Sequence, residues 1–240
     1  MKTVVVIPAR LESTRLPNKV ILDIGGKPLI QRVFEQVKKS KKVSDIFIAT
    51  DSEKIIKIVE SFGGKAILTS SKHQSGTDRI AEAVQNLETD FIINVQGDEP
   101  LISPNLIDSL ISVLENDDEV SFVSAMRKID NLEDLDNPNC VKVITDFSQN
   151  AIYFSRSKIP FSRDNNFQNY FQHIGIYGYK KDFLLKYSRL PQTVLEQAEK
   201  LEQLRAIENG LKIRMVETEY KSIGVDTLAD LEKVRQIWKN

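Results

Sequence analysis

The feature of this sequence that most constrains its fold is the regular alternation of short apolar segments with longer amphipathic ones. The first apolar segment, residues 3–7, consists mainly of β-branched residues and has no polar face, as expected of a parallel strand buried on both sides. Further predicted strands cover residues 45–49, 65–68, 90–95, 120–126 and 140–145. The predicted helices between them lie near residues 28–39, 52–61, 78–87 and 103–115. This series predicts an α/β fold, doubly wound, with a mostly parallel sheet and right-handed crossovers.

The pattern changes beyond residue 145. Segments 151–154 and 172–179 are typical of strands, and the polar stretch 162–169 separates them. This arrangement predicts a small antiparallel excursion near 150–180 from the doubly wound core. The remaining predicted elements are helices near 181–188 and 196–209, a strand at 212–216 and a final helix at 227–238. Because no repeat, low-complexity tract or linker interrupts the sequence, we expect a single domain over residues 1–240.

Composition excludes several classes of protein. With 33 basic and 34 acidic residues the net charge is −1, so the chain has no global attraction to nucleic acid or to an anionic membrane. The only cysteine, Cys140, rules out an internal disulfide and a zinc site with several cysteines. No apolar stretch approaches the ~20 residues that a membrane-spanning helix needs, and the sequence shows no signal peptide. We therefore expect a cytoplasmic protein.

A basic loop directly follows the first predicted strand and carries Arg10, Arg15 and Lys19. In open α/β sheets, ligands bind outside the carboxyl ends of the strands, which is where this loop must emerge. The planar guanidinium groups of the arginines can bind phosphate oxygens in pairs, and the lysine adds a mobile point charge. The loop therefore predicts a site for a polyphosphate.

Carboxylates are expected at the same edge of the sheet. Asp98 follows the predicted strand 90–95, and a carboxylate there can hold Mg²⁺, which commonly joins one or two carboxylates to substrate phosphates. Asp226 is a second candidate, although its position before the final predicted helix is equally typical of an N-cap. Glu99, next to Asp98, reads as either a site residue or an ordinary loop residue.

The loop pattern P-A-R-x-x-S-T-R-x-P-x-K, residues 8–19, resembles the nucleotide loop of the sugar cytidylyltransferases. Within them it is most similar to the branch that acts on the eight-carbon sugar acid 3-deoxy-manno-octulosonate (Kdo). Further segments that resemble this family follow in the same order, at residues 23–28, 73–79, 94–100, 153–156, 173–179, 201–205 and 224–227. Together they span nearly the whole chain, and the resemblance implies a fold like that of the nucleotide-diphospho-sugar transferases.

The resemblance also implies a reaction. CMP would pass from CTP to the anomeric hydroxyl of Kdo with release of pyrophosphate, for lipopolysaccharide synthesis and with Mg²⁺ as cofactor. The implied catalytic residues are Arg10, Lys19, Asp98 and Asp226, of which Asp98 and Asp226 would hold the metal. The implied nucleotide-binding residues are Ala9, Arg10, Arg15, Lys19, Ser71, His73, Ser75, Gly76, Thr77 and Arg79.

The sugar acid needs a fixed cation and neutral hydrogen-bonding groups. By resemblance these are Gln96, Arg156, Arg163, His173, Tyr177, Glu202 and Gln203. From the residues alone, Arg163 and Glu202 could equally be solvated charges, and His173 in an apolar strand could be structural. Arg163 has the weakest support, because segment 161–163 departs from the tryptophan-containing version usual in the family.

The family pattern suggests a division of the chain and an assembly. We expect a nucleotide-binding core at 1–145, a sugar-acid lobe at 146–225 and a closing helix at 226–240. We expect a homodimer, with 151–179 at its interface, and no nucleic-acid or membrane partner.

Three alternatives remain open. A cytidylyltransferase for 8-amino-Kdo or another sugar acid would share the mechanism; segment 173–179 favours Kdo over sialic acid but does not separate Kdo from its 8-amino relative. A nucleotide-sugar glycosyltransferase would usually carry a D-x-D metal motif, whereas residues 97–99 read Gly-Asp-Glu. A non-catalytic nucleotide-binding module would be expected to lack one of the catalytic residues, and all are present.

Overall fold

The computed structural model describes residues 1–11, 16–73, 75–164 and 166–238. In this part of the chain nine strands form one sheet. The strands are β1 (Thr3–Ala9), β2 (Asp45–Thr50), β3 (Lys65–Leu68), β4 (Phe91–Asn94), β5 (Phe122–Lys128), β6 (Lys142–Thr145), β7 (Ala151–Ser155), β8 (Phe171–Lys180) and β9 (Arg214–Glu217). The α-helices are α1 (Leu29–Val37), α2 (Glu53–Ser61), α3 (Gly76–Val84), α4 (Pro104–Asn116), α5 (Lys181–Tyr187), α6 (Val194–Glu199), α7 (Leu204–Glu208) and α8 (Leu228–Ile237). Short 3₁₀ helices cover Lys19–Ile21 and Leu132–Leu135.

The strand order of the sheet is β3-β2-β1-β4-β8-β5-β9. Strands β1 to β4 pair in parallel, and so do β5 and β9, whereas β8 runs antiparallel between β4 and β5. The neighbours of β1 are β2 on one side and β4 on the other, so the direction of winding reverses there. A crevice for a ligand is expected outside the carboxyl ends of β1 and β4 at such a reversal.

Both faces of the sheet are covered, which explains the uninterrupted apolar run in β1. Val5 and Ile7 belong to a buried core that includes residues of α1, α2, α4 and α8. Val4 and Val6 point to the opposite face and join a second core with residues of α3, α5 and α7. Successive side chains of a strand alternate between faces, so a strand between two helical layers must be apolar at every position. The predicted doubly wound, mostly parallel α/β fold is confirmed.

The predicted antiparallel part near 150–180 is confirmed as β7 and β8, and β8 lies in the middle of the sheet. This position requires Gly178: a Cβ there would lie 2.6 Å from Val123 Cγ2 and 2.9 Å from Ile93 Cδ1. The missing side chain leaves room for the close packing of β5, β4 and α4 around β8. Only β6 and β7 leave the main path of the sheet, where they pair with each other and β6 also pairs with β8.

Two predicted elements were wrong in detail. The segment predicted as a strand at 140–145 forms β6, but it pairs antiparallel with β7 and β8 rather than joining the βαβ series, because only the 3₁₀ helix Leu132–Leu135 precedes it. The segment predicted as one helix at 196–209 is two helices. The first, α6, ends at Glu199. The next residue, Lys200, has a left-handed backbone (φ 54°, ψ 47°), and the chain then crosses to α7.

Candidate active site

The carboxyl ends of β1 and β4 lie side by side and carry the predicted basic and acidic residues. Ala9 ends β1 and is buried, and Arg10 follows it with an exposed side chain. On the neighbouring strand end, Gly97 lies so close to the β1 loop that a Cβ would be 2.8 Å from the carbonyl oxygen of Pro8. Only glycine tolerates this approach, which brings Asp98 to the basic loop. Arg15, also predicted to bind phosphate, lies outside the described residues.

Lys19 connects the two predicted metal ligands. Its Nζ lies 2.6 Å from Asp98 Oδ2 and 3.0 Å from Asp226 Oδ1, although Asp226 is 207 residues away in the sequence. Burial lowers the pKa of Lys19, but the attraction of the two carboxylates outweighs this effect, so the pKa is raised above its ordinary value. The fold therefore assembles a cation and two carboxylates at the end of β1 and β4.

Asp226 is not the N-cap of α8; the neighbouring Thr227 is. Thr227 caps α8: its Oγ1 accepts a hydrogen bond from the backbone N–H of Asp230, 3.2 Å away, and the Asp230 carboxylate accepts one from the backbone N–H of Thr227 at 2.9 Å. This reciprocal arrangement is a capping box. The Asp226 side chain is therefore not needed to cap the helix, and its carboxylate faces Lys19.

Glu99 links two parts of the site. It lies in the loop after β4, next to Asp98, and binds the segment that leads to Asp226. Its carboxylate accepts hydrogen bonds from Ser222 Oγ and from Tyr220 Oη, the latter at 3.1 Å. A backbone bond of 2.9 Å from Val225 N–H to the carbonyl oxygen of Asp98 adds a second attachment. Sequence reasoning left the role of Glu99 open, because both of its partners lie more than a hundred residues further along the chain.

The electrostatics around Glu99 are strongly negative. Burial raises the pKa of Glu99 to about 7, against the effect of its two hydroxyl donors, and the nearby charges of Asp98 and Asp226 raise it further. The packing is also tight, since a Cβ on Gly224 would lie 3.0 Å from Glu99 Oε1. Asp98 and Asp226 therefore lie near enough to Glu99 for their charges to act on its carboxyl group.

The donor set fits a magnesium ion. Oxygen atoms of Asp98 and Asp226 both lie within 3.0 Å of the single cationic atom Lys19 Nζ, so the two carboxylates can hold one positive centre between them. Within the described residues no group of three or more His, Cys, Asp or Glu side chains is arranged to hold a metal. Mg²⁺ suits such a sparse set, because it usually takes its other ligands from water and substrate phosphates.

The predicted nucleotide loop ends in α3. Ser75 caps this helix, with its Oγ accepting a hydrogen bond of 3.1 Å from the backbone N–H of Asp78. The next two residues, Gly76 and Thr77, line a cavity beside the strand ends. Backbone N–H groups at a helix N-terminus and hydroxyls are suited to bind a nucleotide, so this part of the loop has the predicted chemistry.

The other predicted residues of this loop make contacts within the protein. Arg79 is buried, and its guanidinium donates hydrogen bonds of 2.7 Å to Thr69 Oγ1 and to Asp51 Oδ2 at the ends of β3 and β2. His73 Nε2 pairs with Glu82 on the outer side of α3. Ser71 lies exposed in a turn. In this structure Arg79 and His73 stabilise the loop rather than present free groups to a ligand.

A cavity of about 420 Å³ adjoins the strand ends. The predicted sugar-acid residues that line it are Gln96, His173, Tyr177, Glu202 and Gln203. These residues come from the β4 loop, from β8 and from the crossing between α6 and α7, which the chain folds into one wall. The structure therefore brings together most of the predicted sugar-acid residues, next to Gly76 and Thr77.

A chain of hydrogen bonds fixes His173 in this wall. Gln203 receives a 3.5 Å hydrogen bond from Tyr177 Oη and lies with its Nε2 3.4 Å from His173 Nδ1. On the other side, His173 Nε2 lies 2.9 Å from Ser124 Oγ, which donates to the carbonyl oxygen of Ile176 at 2.9 Å. Burial lowers the pKa of His173 to about 3, so the imidazole is neutral and these donors and acceptors are consistent with a proton on Nε2.

Glu202 joins the nucleotide loop to the cavity. Burial raises its pKa, while a hydrogen bond from the Thr77 hydroxyl and the charge of Arg205 oppose that rise. Arg205 is itself held by a buried ion pair, with its Nη2 2.6 Å from Glu196 Oε1. The carboxylate of Glu202 therefore has fixed surroundings and is not the solvated charge that the sequence allowed.

Two predicted cations lie outside the cavity lining. Arg156 donates hydrogen bonds to the carbonyl oxygens of Glu199 at 2.7 Å and Pro138 at 2.8 Å, so its guanidinium ties two loops at the rim. Arg163 is exposed in the segment after β7. The cation that does line the cavity is Lys200, which sequence reasoning missed because it expected an unbroken helix there.

Comparisons with known proteins show the family of this chain. A family model described as Cytidylyltransferase matches residues 4–213. The 3-deoxy-manno-octulosonate cytidylyltransferase of Geotalea uraniireducens (strain Rf4) is 48% identical over 245 residues, which cover 98% of this chain and 98% of the relative. The enzyme of the same name from Chloroherpeton thalassium (strain ATCC 35110 / GB-78) is 50% identical over 240 residues, 99% of this chain and 98% of the relative. The chain belongs to the 3-deoxy-manno-octulosonate cytidylyltransferase family.

A solved structure extends this match to three dimensions. The structure of CMP:2-keto-3-deoxy-manno-octonic acid synthetase complexed with CTP has a TM-score of 0.96 and 44% identity, and the match covers 100% of this chain and 99% of that one. The family resemblance predicted from the sequence motifs is therefore confirmed for the whole chain.

Proposed function

We propose that this chain transfers CMP from CTP to the anomeric hydroxyl of Kdo and releases pyrophosphate. The observation that carries the proposal is the junction of two sites: the group formed by Lys19, Asp98 and Asp226 lies at the same strand ends as the polar cavity. A nucleoside triphosphate needs the group of charged residues, and a polyhydroxylated acid fits the polar cavity. The relatives that share this chain's family carry the name of that activity.

The reaction needs no covalent bond to the protein. The anomeric oxygen forms a bond to the α-phosphorus of CTP, the bond from that phosphorus to the bridging oxygen of pyrophosphate breaks, and the hydroxyl loses its proton. Catalysis then consists of positioning and of stabilising negative charge on the α-phosphate. We assign this stabilisation to Arg10, which follows β1, and to Lys19, which contacts Asp98 and Asp226, and we assign Arg15 to the outer phosphates.

We assign the metal to Asp98 and Asp226, whose carboxylates converge on one centre. Bound there, Mg²⁺ would act as a Lewis acid, lowering the pKa of the attacking hydroxyl and neutralising phosphate charge. Glu99 keeps Asp226 opposite Asp98 through its hydrogen bonds with Ser222 and Tyr220. Lys19 Nζ occupies this position in the structure, so with the metal bound we expect its ammonium group to contact the α-phosphate instead.

The same proposal assigns the cavity to the sugar acid and the N-terminus of α3 to the nucleotide. Gln96, beside Asp98, lies in the cavity wall with its Nε2 3.1 Å from Asn94 Oδ1. His173 and Gln203 offer neutral groups whose orientation is fixed by their neighbours. Such groups select hydroxyls by hydrogen bonding, because an analogue that lacks the hydroxyl leaves a buried polar group unpaired.

We also propose that the protein is a homodimer. The β6–β7 region exposes large apolar side chains, with Phe147 at its turn, Ile152 on β7 and Phe161 beyond it. Exposed apolar groups concentrated in one region mark interaction surfaces. Sedimentation of the wild type and of Ile152→Asp would test this proposal, which a monomeric wild-type protein would overturn.

We also propose that the protein is cytoplasmic and that its product is used for lipopolysaccharide synthesis. Among the described residues, no helix combines the length and the apolar character that crossing a bilayer requires. Fractionation of cells that express the protein would test the location.

The experiment that tests the activity is a pyrophosphate-release assay that crosses CTP, UTP and ATP with Kdo, 8-amino-Kdo and sialic acid. We expect turnover with CTP and Kdo. Turnover with CTP and sialic acid but with neither eight-carbon acid would contradict the proposal. The second candidate, 8-amino-Kdo, differs from Kdo only at the terminal carbon, so the assay must include both acids.

A further inference from the structure

A serine that takes no part in the proposed reaction lies buried at an irregularity in the sheet. Ser124 on β5 is fully buried. Strands β5 and β8 change register at this point, because Ser124 is opposite Tyr177 whereas the next residue, Ala125, is opposite Ile174. Residues 175–176 of β8 therefore have no partner on β5 and form a β-bulge. Buried backbone groups of such a bulge need other hydrogen-bond partners.

The hydroxyl of Ser124 contacts two groups at the bulge. It donates a hydrogen bond to the carbonyl oxygen of Ile176 at 2.9 Å, and its Oγ lies 2.9 Å from Nε2 of His173. A hydroxyl has one proton to donate, and a carbonyl oxygen can only accept. Because that proton is directed at the Ile176 carbonyl, the serine oxygen must accept a hydrogen bond from the imidazole. Nε2 of His173 is therefore the ring nitrogen that carries a hydrogen.

The other tautomer fits these contacts less well. A proton on Nδ1 would make Nε2 of His173 an acceptor, and the single Ser124 proton would then face two acceptors, Nε2 and the carbonyl oxygen of Ile176. One of these buried acceptors would lack a donor, which costs free energy. Ser124 and the bulge together therefore favour one tautomer of an imidazole that burial keeps neutral by lowering its pKa.

The choice of tautomer also affects Gln203. With the hydrogen on Nε2, Nδ1 of His173 is an acceptor, and the amide nitrogen of Gln203 lies 3.4 Å from it. The amide oxygen of Gln203 accepts a hydrogen bond of 3.5 Å from Tyr177 Oη. The opposite tautomer would require the amide to turn over, so that its oxygen faced His173. The orientation of Gln203 therefore depends on a proton that Ser124 holds on Nε2.

His173, Tyr177 and Gln203 line the cavity that we assigned to the sugar acid, whereas Ser124 is not part of that lining. Turning over the amide of Gln203 would exchange a donor for an acceptor in this wall, and a site built to bind hydroxyls is sensitive to such an exchange. The inference rests on the proposed function in this respect. We propose that Ser124 is a positioning residue that keeps the proton of His173 on Nε2 and thereby holds His173 and Gln203 in one orientation toward the sugar acid.

Because the chain has only two histidines, nuclear magnetic resonance can identify the tautomer of His173 directly. In protein with nitrogen-15 in its imidazole rings, the chemical shift separates a ring nitrogen that carries a hydrogen from one that does not, and His73→Gln assigns the signals. At neutral pH we expect a protonated Nε2 and a bare Nδ1 in the wild type. Ser124→Ala removes the acceptor and should give a mixture of tautomers. Ser124→Thr keeps the hydroxyl and suits a strand, so it should keep the wild-type pattern.

Steady-state kinetics connect the tautomer with the substrate. Ser124→Ala should raise KM for Kdo about five- to tenfold, as expected for one weakened hydrogen bond, and change KM for CTP by less than about twofold. Ser124→Thr should restore KM for Kdo. Ser112→Ala is the matched control, because this serine hydroxyl also donates to a backbone carbonyl oxygen, that of Asp108 at 2.8 Å, and lies on α4 outside the cavity lining. It should match the wild type in both experiments.

Three results would each overturn the inference: a hydrogen on Nδ1 in the wild type, an unchanged tautomer in Ser124→Ala, or equal KM values for Kdo in Ser124→Ala and Ser112→Ala. A folded wild-type protein that turns over neither Kdo nor 8-amino-Kdo would overturn the proposed function. If its spectrum still showed a tautomer that depends on Ser124, the role of Ser124 in orienting His173 would stand. Thermal unfolding of each variant separates lost positioning from lost structure.

Discussion

At the scale of single residues, the central observation is that Lys19 stands between Asp98 and Asp226, at 2.6 Å and 3.0 Å. A lysine in such a position has a fixed direction and a persistent charge, since its pKa is raised. Those are the properties required of a group that stabilises charge that develops in a transition state.

We predict that Lys19→Met lowers kcat more than it raises KM for CTP. Loss of one well-placed transition-state donor typically costs on the order of 10²–10³ in rate. The control is Lys27→Met, because Lys27 pairs with Glu35 at 2.6 Å and lies beyond the loop. Arg15→Met should act mainly on KM, since the outer phosphates are bound in both ground and transition states. Equal, small effects in all three variants would show that the loop is merely basic.

Asp226 and Thr227 are neighbours with separable roles. We predict that Asp226→Asn abolishes turnover and leaves the melting temperature nearly unchanged, because Thr227 caps α8. Thr227→Ala should do the reverse and lower the free energy of unfolding by about 1 kcal/mol with a much smaller effect on kcat. Near-normal turnover by Asp226→Asn at saturating Mg²⁺ would remove Asp226 from the catalytic group.

At the scale of elements, the site depends on how the segment between β9 and α8 is held against the loop after β4. Glu99 makes this attachment through Ser222 and Tyr220, and the bond between Val225 N–H and the Asp98 carbonyl oxygen supports it. Neither segment has regular secondary structure at this point. Their relative position must therefore come from these side-chain contacts.

We predict that Glu99→Ala lowers kcat at least tenfold and raises the Mg²⁺ concentration for half-maximal rate. The reason is that Asp226 loses its fixed position opposite Asp98, and a misplaced ligand weakens the metal site. Tyr220→Phe removes one of the two hydrogen bonds and should have a smaller effect on both quantities. A rate of Glu99→Ala that matches the wild type across a full Mg²⁺ titration would contradict this role.

At the scale of the whole molecule, the buried polar groups make stability depend on pH. The pKa of His173 is lowered to about 3 in the folded state from 6.5, so the unfolded chain binds a proton first as the pH falls. The free energy of unfolding that depends on His173 is fully present above pH 6.5 and is lost as the pH falls toward 3.

We predict that His173→Gln flattens the dependence of stability on pH. Between pH 6 and pH 4, the free energy of unfolding of the wild type should fall by up to about 1.4 kcal/mol per unit more steeply than that of the variant. Above pH 7 the two curves should run parallel, whatever their offset. Chemical denaturation at a series of pH values measures this difference, and parallel curves over the whole range would show that the fold does not lower the pKa of His173.

Much of the architecture could be predicted because helices and strands follow from the pattern of neighbouring residues. The apolar run of β1 and the amphipathic helices after it have a period that depends only on neighbouring residues, and that period gave the α/β core. The central position of β8 could not be predicted in this way. It depends on Gly178, whose role appears only when β4, β5 and α4 pack around it.

By itself, the sequence determined the family, the order of the strands along the chain and the side chains that follow each strand, such as Arg10 and Asp98. Only the tertiary structure decided which distant groups meet. It brought Asp98 and Asp226 together on Lys19 and bound the Arg156 guanidinium to backbone carbonyl oxygens. The physical reason is that secondary structure follows from short-range periodicity, whereas these contacts depend on strand order, on close backbone approach and on competition between partners far apart in the chain.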